Sequence, residues 1–80
     1  MGSKKAVVRR GRRTKLHWPA RVVGIRARLG LSQREFAKLI GVSVDTLQNW
    51  EQGRRQPSGP AAVLLKVLES DAEAVMRALR

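Results

Sequence analysis

The sequence predicts an all-α domain of five short helices behind a basic, disordered arm. Three observations carry that expectation. From residue 18 onward, apolar side chains return every three or four positions, and no useful length alternates with period two. Glycines and Ser-led capping patterns cut this stretch into short pieces. The charge is lopsided, with seven basic residues and no acid among residues 1–16 (Lys4, Lys5, Arg9, Arg10, Arg12, Arg13, Lys15). Self-repulsion without apolar periodicity predicts a flexible arm over residues 1–17 and a folded domain over residues 18–80.

The first helix is expected to begin at Trp18-Pro19, because proline suits a first helical turn. It runs to about Leu29, with Val22, Ile25 and Leu29 on one face. Trp18 is expected to pack beneath this helix, and His17 to lie at the surface. Gly24 is a local cost of about 1 kcal/mol against Ala, and close packing is the one reason the sequence suggests for it. Gly30 stops the helix. Ser32 and Glu35 then form a capping box, with Leu31 stapled onto Phe36. Phe36, Ala37, Leu39 and Ile40 should face inward, and Arg34, Glu35 and Lys38 outward. Gly41 suits a left-handed cap. Ser43 caps the third helix, Val42 can staple onto Leu47, and Gly53 ends the helix. After the loop RRQPSGP, Ser58 or Gly59 caps a fourth helix with Ala61, Leu64, Leu65 and Leu68 inside. A second capping box, Ser70 with Glu73, restarts the chain as a fifth helix. Ala72, Val75, Met76 and Leu79 form its apolar stripe.

The total of 17 Lys and Arg against six Asp and Glu, net +11, points to a polyanionic partner. The absence of Cys excludes disulfides and thiolate metal sites and fits a reducing compartment. No apolar run approaches a membrane span. With one His, no Cys, no glycine-rich phosphate loop and no nucleophile elbow, enzymatic activity is not expected. Neither a cofactor nor a metal site is expected.

The second helix, the glycine turn and the third helix make a helix-turn-helix. At about 100° per residue, Thr46, Leu47, Trp50 and Glu51 fall on one side of the third helix. Asp45, Gln48, Asn49 and Gln52 fall on the other. Leu47 and Trp50 anchor that helix, and Ala37 is small where the second helix crosses it. The outer row suits the major groove, where Asn or Gln can pair with adenine N6 and N7 and Asp can accept from cytosine N4. Val44, Asp45, Gln48 and Asn49 are therefore expected to face bases. Gln33, Ser43, Thr46, Arg54 and Arg55 are expected to meet phosphates. One such unit reads only a few base pairs, so a homodimer on a palindromic operator is expected, with Val75, Met76 and Leu79 at its interface. The basic arm is expected to contact phosphates or a minor groove. An RNA or anionic membrane surface bound through charge alone is the competing reading, although no membrane partner is expected.

The stretch LGLSQREFAKLIGVSVDTLQNWEQGRRQPSGPAAVLLKVL resembles the XRE-type helix-turn-helix domain of phage repressors and many bacterial regulators. The matching residues are Ser32-Gln33, Ala37, Gly41-Val42-Ser43, Leu47 and Trp50-Glu51-x-Gly53. The flanks VVGIRARLG and RRQPSGPAAVLLKVLESDAEAVMRAL resemble HigA-like and MqsA-like antitoxins of the NadS-like kind. The resemblance implies a compact lambda-repressor-like fold and a cytoplasmic dimer, bacterial or phage-encoded, that represses its own operon. It also implies a cognate toxin as a further partner, and base readers at Asp45 and Asn49. A phage or anti-CRISPR-operon autorepressor without a toxin is the neighbouring alternative, and a purely toxin-neutralising interaction protein another.

Overall fold

A computed structural model describes residues 17–79. Its helices are α1 (Trp18–Leu29), α2 (Gln33–Ile40), α3 (Val44–Gln52), α4 (Gly59–Ser70) and α5 (Ala72–Leu79). No strand occurs among the described residues. The arm expected over residues 1–17 lies outside the described residues except for His17, which is exposed. No helix among them is long and apolar enough to cross a membrane.

Each helix boundary follows from a local signal. Pro19 occupies the first turn of α1. Before α2, the Ser32 hydroxyl accepts from the Glu35 backbone N–H at 3.0 Å, and the Glu35 carboxylate accepts from the Ser32 N–H at 2.8 Å. This is the expected capping box, and it satisfies two donors that a helix start otherwise leaves unpaired. Gly41 closes α2 at φ +79°, a left-handed conformation that costs any residue with a Cβ. Ser43 caps α3 by accepting from the Thr46 N–H at 3.0 Å. Ser58 holds the cap position of α4, but its hydroxyl makes no cap bond.

Two expectations need correction. The fifth helix is not capped by Ser70. Ser70 completes α4, and its hydroxyl donates to the Lys66 carbonyl at 3.3 Å. The cap comes from Asp71, whose Oδ1 accepts from the Ala74 N–H at 3.1 Å. A carboxylate that can reach the third N–H of the new helix serves as well as a hydroxyl, so the break falls one residue later. Gly24, in turn, is not required by close packing. A Cβ placed there meets nothing within 4 Å. Gly24→Ala is therefore expected to stabilise the domain by about 0.5–1 kcal/mol through helix propensity. A denaturation midpoint that rises shows it, and one that falls would reveal a contact the geometry lacks.

The core draws on every helix. Val22 and Ile25 come from α1, Phe36 and Ala37 from α2, Leu47 and Trp50 from α3, Leu65 and Leu68 from α4, and Val75 from α5. Trp18, Leu29, Leu31, Leu39, Ile40, Val42, Ala61 and Leu64 pack around them half-buried. α1 lies against both α3 and α4, α2 against α3, and α4 against α5. Thus α3 is held from behind by two helices while its other side is left to solvent. Trp18, the first residue of α1, packs half-buried against the core, with the Arg21 guanidinium 3.8 Å from its ring centroid.

Candidate nucleic-acid interface

α2 and α3 are joined by Gly41-Val42-Ser43 alone, which forces a sharp turn. Because Gly41 is left-handed, its N–H and that of Val42 bond back to the carbonyls of Lys38 and Ala37. Ala37 is buried and has only a methyl group, which lets the two helices approach. Leu47 and Trp50, 0% and 5% exposed, fix the rotation of α3 about its axis. With that rotation set, Asp45 and Gln52 are exposed, while Val44, Gln48 and Asn49 lie half-buried at the edges of the same outward face. The structure therefore brings Asp45, Gln48 and Asn49 together on one surface, whereas Val44, at its margin, packs against the core.

Behind that surface runs a polar network. Arg26 of α1 donates from Nε to Glu51 Oε2 at 2.7 Å and from Nη2 to Glu51 Oε1 at 3.1 Å. Its Nη1 reaches the Leu31 carbonyl at 3.1 Å, which ties the α1–α2 link to the same guanidinium. Gln33 donates from Nε2 to Glu51 Oε1 at 2.8 Å, and its Oε1 accepts from Gln48 Nε2 at 3.3 Å. The Glu51 side chain is only 6% exposed. Burial pushes its carboxyl up, but hydrogen bonds from Arg26 and Gln33, with the Arg26 charge, outweigh that and hold it below the usual carboxylate range. One bidentate ion pair thus joins three elements that converge behind the outward face of α3.

The residues expected to meet phosphates divide into two groups. Ser43 and Thr46 are spent locally, since the Ser43 hydroxyl caps α3 and donates to Thr46 Oγ1 at 2.9 Å. Gln33 is committed to Glu51. Arg54 folds back to donate from Nε to Asn49 Oδ1 at 3.1 Å, and Arg55 stands exposed beyond it. Arg54 is a donor only, so Asn49 keeps its amide hydrogens free for an acceptor. On α5, Val75 belongs to the core at 7% exposure, while Leu79 is 41% exposed. Val63 and Val67, one turn apart on the outside of α4, are also exposed, and the sequence reading did not single them out.

Sequence reasoning missed Arg26 and the second ion pair, Arg21 Nη2 to Glu69 Oε1 at 2.7 Å. A signal for Arg26 was present. It follows Val22 by four positions and precedes Leu29 by three, which puts a charge on the apolar face of α1. Glu51 falls on the inner side of α3 in the same way. Two opposite charges facing inward imply each other.

Residues 25–65, just over half of the chain, match the family model described as Helix-turn-helix. The chain belongs to the XRE-type helix-turn-helix family. Over 55 residues it is 44% identical to Antitoxin HigA-2 of Vibrio cholerae serotype O1. That match covers 69% of this chain and 53% of the relative, so the chain spans about half the length of the curated relative it matches. The family is one of DNA-binding domains.

Proposed function

We propose that this protein is a sequence-specific double-stranded DNA-binding repressor that acts as a dimer on an inverted repeat, near its own promoter. One observation carries the reading. α3 is fixed by Leu47 and Trp50, and the side opposite them gathers Asp45, Gln48, Asn49 and Gln52 at the surface. An exposed Asp beside a polyanion is unfavourable unless it accepts from a base, so Asp45 argues for readout rather than charge attraction alone. Met76 and Leu79 supply the dimer contact, with half-sites about one helical turn apart or a multiple of it.

The test begins with duplexes selected from random DNA. Asp45→Ala and Asn49→Ala are each expected to reduce discrimination between the selected and a scrambled duplex by about tenfold. Arg55→Ala, which removes a charge without touching the outward amides, is expected to weaken both duplexes alike. Equal losses on both duplexes for the Asp45 and Asn49 variants would remove the base-reading assignment.

Likeness to a protein named an antitoxin supports a second role, pairing with a toxin. Co-purification with the product of an adjacent reading frame tests that role. Failure of the two to associate leaves the stand-alone autorepressor.

A further inference from the structure

The network behind α3 does more than hold the helix. We infer that Glu51 and Gln33 are positioning residues that set the polarity of the Gln48 amide, so that Gln48 presents its oxygen to the DNA and selects a base carrying an exocyclic amino group. The inference rests on Gln48 lying against base edges, as proposed above.

The polarity follows from donor and acceptor counting. The ionised Glu51 carboxylate can only accept. Its Oε2 takes the Arg26 Nε, and its Oε1 takes Arg26 Nη2 and Gln33 Nε2. A Gln33 oxygen in that position would face an anion with no hydrogen between them, so the Gln33 amide must turn its nitrogen inward. Its oxygen then faces Gln48, and an amide oxygen also only accepts. The Gln48 nitrogen is therefore drawn to it, at 3.3 Å. Gln48 Oε1 has no hydrogen-bond donor among the described residues, and by helical position Gln48 belongs to the side of α3 that carries Asp45 and Gln52. A free glutamine flips at little cost and accepts either kind of base edge. This one is biased by a charge two residues removed from it in the network.

In the major groove, adenine N6 and cytosine N4 are donors, whereas guanine O6 and thymine O4 are acceptors. An outward oxygen bonds the first pair and repels the second. Gln48 retains one amide hydrogen, so adenine, which also offers N7, is the base it suits best.

The experiment uses the full chain and the selected duplex, with each base pair of one half-site replaced in turn by the other three. In the parent protein one position should favour amino-bearing over keto-bearing bases by roughly five- to tenfold. Gln48→Ala should flatten that position alone. Gln33→Met leaves the Arg26–Glu51 pair in place and should cut the preference at the same position to about twofold or less, with preferences elsewhere kept. Its thermal midpoint, measured in parallel, should stay near the parent's. If Gln33→Met weakens every duplex equally and leaves the profile intact, Gln33 is a phosphate contact only and the polarity inference is wrong. A parent preference for keto-bearing bases at the Gln48 position would also overturn it. Should Gln48→Ala leave every position unchanged, the placement of Gln48 against bases itself fails, whatever Gln33→Met does.

Discussion

Glu51→Ala is expected to leave the domain largely unfolded at 37 °C. The substitution strands the Arg26 guanidinium, which has 22% of its side chain exposed and loses both of its carboxylate contacts. It also removes the acceptor for Gln33. Breaking one partner out of a buried pair costs about 3–5 kcal/mol, and because this pair is only part-buried its loss should lie near the low end. A core of this size rarely supplies more than about 3–5 kcal/mol in total, so a loss near the low end is enough. Arg26→Met should be nearly as damaging, because it leaves the anion instead. The double variant Arg26→Met with Glu51→Leu should recover much of the loss, since matched apolar replacements of a buried pair are often neutral. Urea denaturation of the four proteins measures each loss and the recovery in the double variant. A midpoint for Glu51→Ala within about 0.5 kcal/mol of the parent would mean the pair is ornamental.

The same pair sets the acid limb of stability. The folded protein holds the Glu51 carboxyl below its ordinary value of 4.5, and Glu69, bonded to Arg21, behaves likewise. A depressed carboxyl stabilises the fold above the unfolded-state value, and that stability is lost as pH falls through the folded-state one. The thermal midpoint of the parent should therefore be flat down to about pH 5 and fall below it. In Arg26→Met, burial acts on Glu51 without its main opponent and raises its folded-state value, so Glu51 no longer costs stability as pH falls and the acid fall should be smaller than in the parent.

Much of the fold was legible because its signals are local. A capping box spans four residues, and a left-handed glycine needs only its own backbone. Ser32, Glu35, Gly41, Ser43 and Gly53 therefore stand where the sequence placed them. The inward positions of α1 to α4 follow from helical period for the same reason. Ser70 misled because two adjacent residues could both cap, and the choice depends on where α4 stops packing. The two ion pairs join residues 25 and 48 positions apart, and nothing in a local pattern names a partner at that range. Gly24 misled in the other direction, because open space at a helix surface leaves no mark on the sequence. The outward row of α3 was legible as a set, whereas its internal polarity required the position of Gln33 over Glu51.

Deletion of residues 1–16 is expected to weaken DNA binding by about two orders of magnitude per bound subunit at moderate salt, on selected and scrambled duplexes alike. The segment holds seven basic residues and no acid, so its removal lowers the formal net charge from +11 to +4. Each cationic side chain that neutralises a phosphate releases a counterion and adds about 0.9 to the slope of log affinity against log salt. If half of the seven do so, each subunit loses about 3 from that slope. Such a loss corresponds to roughly a hundredfold in relative affinity between about 50 and 200 mM salt. The effect belongs to charge and not to sequence, so the discrimination due to Asp45 and Asn49 should survive in ratio. Titrations of both duplexes at several salt concentrations separate the two contributions. An unchanged slope after deletion would show that these cations do not meet phosphate. A loss confined to the selected duplex would instead make the arm a reader of bases, and the division of labour between arm and α3 would have to be redrawn.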